Sequence, residues 1–315
     1  MKYNVLVTAI GSFSATTVIN SLNEDSRINK VYGCDIYPKE WHYISKECVE
    51  VFKAPLVSQE KEYLQFIKKI VSIYNIDIII PLTDIEVDFF NQYRDHFNDI
   101  LVTIGSSEFL SLARDKYKLN NYLSSKDIKI PKTYGFNELN KELFPLIGKP
   151  KNGRSSEGIV YLQNYSDLSP YFNYGDYIFQ EIINGEIITI DMVRDDRNNS
   201  IAIIPRKELI RTKNGAGTTV ELLCDEHLVQ LSSDISQNLN ATGAYNIEFI
   251  ATSHDFYLID VNPRFSAGIG FTHTMGYNMV SNMINYYTNS PIEEVIEYKH
   301  MIVQKQMQEV INKIF

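Results

Sequence analysis

Over its first 105 residues the chain alternates short apolar runs with helically spaced ones, and that alternation constrains its fold more than any other feature. Residues 3–8 (YNVLVT), 31–35, 76–80 and 100–104 read as buried strands. Residues 14–22, 61–74 and 84–97 read as helices between them, and Thr83 is placed to cap the last. In the second helix Tyr63, Ile67, Ile70 and Tyr74 recur at helical spacing. Strands separated by helices predict a parallel sheet with helices on its faces, an α/β domain. Ligands of such sheets sit beyond the carboxyl ends of the strands, here near Gly11, Asp35 and Thr83-Asp84. The turn Gly11-Ser12-Phe13-Ser14-Ala15 lacks the second and third glycines that a dinucleotide pyrophosphate requires, so an oxidoreductase built on this sheet finds little support.

A length of 315 residues suits about two average domains. With 30 basic against 39 acidic residues the formal net charge is −9, a poor basis for nucleic-acid binding or for an anionic membrane surface. Any phosphate must meet a local cluster of cations and backbone N–H groups. Three cysteines at wide spacing (Cys34, Cys48, Cys224) form neither a disulfide framework nor a zinc pattern, and a reducing cytoplasm is the expected setting. The apolar start is cut short at Gly11 with no cleavage site after it, and the longest later apolar run, residues 76–82, contains Asp77 and is too short to span a bilayer.

From Ser107 the pattern changes. A helix over 113–124 precedes short strand-like pieces at 144–150, 158–162, 177–180, 187–193 and 201–204, which predict antiparallel sheet and an α+β domain. Residues 225–239 read as a helix, 245–251 and 256–261 as a hairpin, and 275–287 and 301–314 as late helices that suit a homodimer or a core equally well.

Three constellations in this half carry chemistry. If the hairpin pairs across its polar turn, Glu248 lies near Asp260, while Asp260 and Asn262 share a strand face. Three oxygen ligands then converge, a set suited to Mg²⁺, although a half-buried hairpin with solvated carboxylates satisfies the same spacing. Arg264 follows directly, beside any metal-bound phosphate. Second, an apolar strand ends at Lys149 and runs into a polar loop holding Gly153, Ser155, Ser156 and Gly158, able to turn N–H groups toward phosphates or to be a plain surface hairpin loop. Third, the segment Gln180, Glu181, Ile182, Ile183 and Glu186 can offer backbone to an adenine edge and a carboxylate to a ribose, or be a strand–turn–strand unit. Lys116 on the early helix, and Arg206, Lys207, Arg211 and Lys213 crowded before two glycines, are further anion candidates. No nucleophile signature accompanies them.

In this order, the pieces resemble the ATP-grasp superfamily over about residues 110–290. Within it, GEIITIDMVRD and LIDVNPRFSAG look closest to the carbamoyl-phosphate-synthetase-like carboxylate–amine ligases, a group that includes the pyrrolysine-pathway ligase. The resemblance implies a Rossmann-like domain at 1–110, a small ATP-grasp lid at 111–186 and a metal-bearing sub-domain at 187–315, the last two clasping ATP. It implies Lys116 and Lys149 on the phosphates, the 152–158 loop over them, Glu181 to Ile183 at the adenine, Glu186 on the ribose and Lys213 near the nucleotide. Glu248, Asp260 and Asn262 would hold Mg²⁺, or Mn²⁺ in its place, and Arg264 would steady an acyl phosphate. Asp260 stands where the family usually has Glu. The implied activity joins a small carboxylate, such as that of an amino acid, to an amine with release of ADP and phosphate. Arg206 and Arg211 are then candidates to grip the carboxylate, since a guanidinium offers a bidentate fork. A regulatory Mg-ATP-binding module is the alternative. A full carbamoyl phosphate synthetase would need two ATP sites, and this chain has room for one.

Overall fold

The computed structural model describes residues 2–153, 157–169, 173–295, 297–306 and 309–312. Its N-terminal part runs β1 (Tyr3–Thr8), α1 (Ala15–Glu24), β2 (Ile28–Asp35), β3 (Glu50–Lys53), α2 (Glu60–Tyr74), β4 (Ile78–Ile80), α3 (Asp84–Gln92) and β5 (Leu101–Val102). The strands form one parallel sheet in the order β3-β2-β1-β4-β5, so the chain reverses direction of growth between β1 and β4. Side chains alternate between its faces with period two. Val5, Val7, Ile78 and Ile80 enter one core, while Leu6 and Ile79 enter the other with Tyr63, Ile67 and Phe90. Each such fully buried side chain contributes roughly 1.5–3 kcal/mol.

Two helices, α4 (Ser107–Ala113) and α5 (Lys116–Ser124), lead into the antiparallel half. Asp115 starts α5 by accepting the backbone N–H groups of Tyr117 and Lys118, which places Lys116 on the first turn. Strands β6 (Thr133–Tyr134), β7 (Leu146–Pro150), β8 (Val160–Leu162) and β9 (Tyr177–Glu181) make a four-stranded sheet in the order β6-β9-β7-β8. The chain then builds β10 (Glu186–Asp195), β11 (Ser200–Arg211), β12 (Gly217–Leu222), α6 (Glu226–Asn238), β13 (Gly243–Ala251), β14 (Phe256–Asn262), α7 (Ile269–Met275), α8 (Met279–Tyr287) and β15 (Met301–Gln304). The six-stranded sheet has the order β14-β13-β10-β11-β12-β15. One of its faces packs Ile190, Met192, Ile247 and Phe249 against α4, α5 and α6. The other carries Val193 and Ile204 into the core shared with the parallel sheet and α8, so the two halves are joined through packed apolar surface.

Several expectations need correction. The segment expected to be helical over 301–314 begins with strand β15, where Ile302 faces solvent and Val303 pairs with Val220 on the edge of the sheet. Alternation at period two and two β-branched residues favour the strand, and residues 313–314 lie outside the described ones. The helix expected over 275–287 is two helices, broken at Gly276, whose φ of +113° no helix accommodates. The helix expected over 84–97 ends at Gln92 and gives way to a 3₁₀ turn at Arg94–Phe97. Thr83 occupies the cap position, but its hydroxyl donates to Glu86 Oε2 at 2.7 Å instead of capping the backbone. Among the described residues no helix is long and apolar enough to cross a membrane.

Candidate active site

The hairpin β13–β14 pairs Glu248 with Asp260 and Asn246 with Asn262, so four oxygen-bearing side chains stand on one strip of sheet. A β-bulge follows Glu248 and locally increases the twist of the hairpin. Asn262 donates its amide to Asn246 Oδ1 at 3.2 Å, which leaves the Asn262 carbonyl oxygen available to a ligand. Lys116, from the first turn of α5, donates to Asp260 Oδ1. Arg211, from the end of β11, places Nη2 at 3.0 and 3.2 Å from the two Glu248 oxygens. Burial pushes the Glu248 carboxyl above the usual carboxylate range; Arg211 opposes the shift and the Asp260 charge adds to it.

Lys149 closes the group from β7 of the other sheet. Burial lowers its ammonium to about 8, and the neighbouring Lys116 charge pushes the same way against Asp260 and Glu248. Three cations therefore face two carboxylates. Between the two sheets lies a cleft of about 230 Å³ whose lining includes Lys116, Lys149, Gly153, Arg211, Glu248 and Asp260. Ile147, Tyr161, Ile187 and Ile250 supply its apolar wall. A second cleft, of about 240 Å³, shares Arg211, Glu248 and Asp260 with the first and extends over Asn246, Asn262 and Arg264 to Phe13 of the parallel-sheet domain.

The remaining sequence candidates divide. Arg264 lines the second cleft and is clamped, donating from Nη2 to Asp84 Oδ2 at 2.9 Å and from Nη1 to Phe265 O at 3.0 Å. Its partner Asp84 opens α3 and also meets Arg114 at 3.5 Å; although burial opposes this, the arginines hold its carboxyl below the usual range. Arg206 lies in the wall of the second cleft but is only 2 % exposed, with its fork engaged by Asp191 at 2.6 Å, Glu208 at 3.1 Å and Ser266 Oγ at 3.0 Å. Gly268 packs on it so closely that a Cβ there would stand 2.5 Å from Nη2. Gln180 is buried and donates to Thr133 Oγ1 at 3.0 Å, while Glu181 accepts the Lys132 N–H at 2.8 Å. Ile182 and Ile183 lie in the crossing from β9 to β10, outside both ladders. Glu186 is exposed and paired with Lys207 at 2.5 Å, and Lys213 is exposed in the turn after β11. Ser155 and Ser156 lie outside the described residues.

Sequence reasoning passed over Asn246 and Arg114, and it placed Asp84 at a strand end without its partner Arg264. Asn246 stands two residues before Glu248 on the same strand face, so period two carried the signal. Asp84 meets Arg264 across 180 positions, and no local pattern announces that pair.

The donor set fits a hard divalent cation. Glu248 and Asp260 oppose each other directly, and the free Asn262 carbonyl lies one strand step beyond, all oxygen ligands of the kind Mg²⁺ accepts. Among the described residues no group of three or more His, Cys, Asp or Glu side chains offers a separate metal site.

Residues 113–268 match the family described as an ATP-grasp domain. The chain is 23% identical over 276 residues to a formate-dependent phosphoribosylglycinamide formyltransferase of Prochlorococcus marinus, covering 79% of this chain and 70% of that one. Its fold is similar to the biotin carboxylase of Campylobacter jejuni (TM-score 0.77, 17% identity, 93% of this chain and 72% of the other). It is also similar to an L-amino acid ligase of Bacillus licheniformis (TM-score 0.71, 14% identity, 91% and 74%).

Proposed function

We propose that this chain, which carries an ATP-grasp domain at residues 113–268, is an ATP-dependent carboxylate–amine ligase working through an acyl phosphate. The observation that carries the reading is the pairing of Glu248 with Asp260 beneath three cations, at a wall common to two clefts. In this reading residues 1–110, 111–186 and 187–315 are the three units, and the first cleft, between the second and third, takes the nucleotide. Lys116 and Lys149 take the phosphates, Gly153 lies beside them, and the segment from Gln180 to Ile183 meets the base. Glu186 and Lys213, at the rim, take outer positions on the nucleotide.

Glu248, Asp260 and Asn262 would hold Mg²⁺, which supplies charge neutralisation at the transferring phosphoryl group. Loading the site requires Lys116 and Arg211 to let go of their carboxylates and turn to anions. Arg211 is then free to orient a substrate carboxylate in the second cleft, with Arg264 beside it. Arg206 holds that wall from behind through Asp191 and Glu208. The substrate carboxylate oxygen bonds to the γ-phosphorus as ADP leaves. The amine nitrogen then bonds to the acyl carbon as phosphate leaves, its surplus proton passing to phosphate or water. These residues position and neutralise, and no protein nucleophile is required.

The test is a pooled screen of amino acids and amines for ADP and phosphate release, with mass detection of the new amide. Stimulated release that is lost in Glu248→Gln supports the reading. ATP left intact by every pair, with nucleotide binding unchanged in Glu248→Ala, overturns it. Tight Mg-ATP binding without turnover would instead favour the regulatory module, a reading for which Asp260 in place of the family's usual Glu speaks.

A further inference from the structure

A third cavity lies wholly within the parallel-sheet domain and takes no part in the reaction proposed above. Its volume, about 530 Å³, exceeds that of either cleft and falls within the range of small-molecule sites. The loops that follow β1, β2, β3 and β4 form its walls, so it opens at the carboxyl ends of the strands where the strand order reverses. Ile36, Leu56, Val57 and Ile85 make the lining mostly apolar. At its mouth Tyr37 and Trp41 stack, with ring centroids 5.3 Å apart and planes 23° apart, yet they remain 50 % and 69 % exposed. Exposed aromatic surface over an apolar cavity marks a place where something flat can bind.

The polar groups select the charge of that ligand. Asp35, at the end of β2, is 7 % exposed and lines the cavity. It accepts the Gly11 and Tyr37 N–H groups at 2.9 and 3.0 Å. A carboxylate has about four acceptor positions, so capacity remains. His42 Nε2 stands 3.3 Å from Asp35, and among the described residues that buried nitrogen has no hydrogen-bond partner. Glu86, also buried, accepts from Tyr63 at 3.0 Å and from Thr83 at 2.7 Å. No lysine or arginine is among the lining residues, so a phosphate or carboxylate would meet two carboxyl groups and no strong cation. A ligand with an apolar ring and an ammonium group satisfies both the walls and Asp35.

We propose that this cavity is a binding site for a small aromatic amine, with its ring against Tyr37 and Trp41 and its ammonium group directed to Asp35. Trp41 is the only tryptophan of the chain, so its fluorescence reports occupancy directly. The experiment titrates the full chain, without nucleotide, with phenethylamine and with its carboxylate counterpart 3-phenylpropionate. Because no turnover is involved, failure of the ligase reading leaves this result untouched. The expected result is a saturable change with the amine and binding at least about tenfold weaker for the carboxylate, the order of discrimination that one opposed charge produces. Leu56→Lys puts a cation on the rim, at a side chain already 51 % exposed, and should weaken the amine by about tenfold while narrowing the preference. Asp35→Asn should remove most of the preference. Absence of a saturable change, equal affinity for the two compounds, or indifference to Leu56→Lys would overturn the proposal.

Discussion

Two charged clusters on the six-stranded sheet differ in one respect that separates structure from chemistry. Around Arg206 every partner is buried: Asp191 is fully enclosed, the side chain of Glu208 is 2 % exposed, and Ser266 completes the fork. Around Glu248 the groups are half-buried and the charges do not balance, with Lys116, Lys149 and Arg211 against Glu248 and Asp260. Each nitrogen of Arg206 is already engaged within the first cluster. The second carries an excess of one positive charge in a chain of net charge −9, and burial together with the nearby Lys116 charge makes Lys149 hold its proton weakly despite Asp260 and Glu248. A buried cation whose donors are satisfied maintains a wall; one that is crowded and under-paired awaits a phosphate.

The contrast can be broken most forcefully at Arg206. Arg206→Met leaves Asp191 and Glu208 buried without their counter-charge, and unfolding in urea should show a loss of about 3–5 kcal/mol. Stability within about 1 kcal/mol of the parent would place the two clusters in the same class. Glu248→Gln should do the reverse, lowering substrate-stimulated ADP release by about 10²-fold or more with little change in urea midpoint. Lys149 sharpens the comparison through pH. Its folded-state pKa of about 8 lies below the 10.5 of an ordinary lysine, so between those values the unfolded chain binds the extra proton. This group's contribution to stability therefore rises with pH from about 8 toward 10.5, while ATP affinity falls as the ammonium is lost above about 8. Calorimetric titration should find ATP bound several-fold more weakly at the alkaline end of that window, and Lys149→Met should flatten the dependence. The smallest effect belongs to the exposed pair Lys207–Glu186: Lys207→Ala should alter stability by no more than about 1 kcal/mol.

Much of this was legible from residue order, for reasons particular to each element. The hairpin register follows from period-two alternation around a short polar turn, and it placed Glu248 opposite Asp260 as expected. The parallel sheet follows from apolar runs such as Val5-Leu6-Val7 and Ile78-Ile79-Ile80, buried on both faces. Strands β3 and β12 were missed because Glu50–Lys53 and Gly217–Leu222 mix charged, polar and glycine residues and are held by their neighbours in the sheet rather than by their own pattern. Helix α4 was missed because Ser107–Ala113 is short and adjoins α5 across a cap at Asp115. The state of Arg206 was not legible either: a cation in a basic run looks the same whether it faces a ligand or three buried partners.

Asp84 belongs to the parallel-sheet domain, yet its carboxylate restrains Arg264 beside the hairpin and touches Arg114 at the entrance to α5. The chain therefore cannot be shuffled like beads. A recombinant that grafts another N-terminal domain onto this catalytic half inherits two arginines trained on one missing acid, and its guanidinium at 264 loses its anchor before any substrate arrives. Swaps should stay active only where they retain both an aspartate at the start of α3 and the apolar surface that packs against Val193 and Ile204.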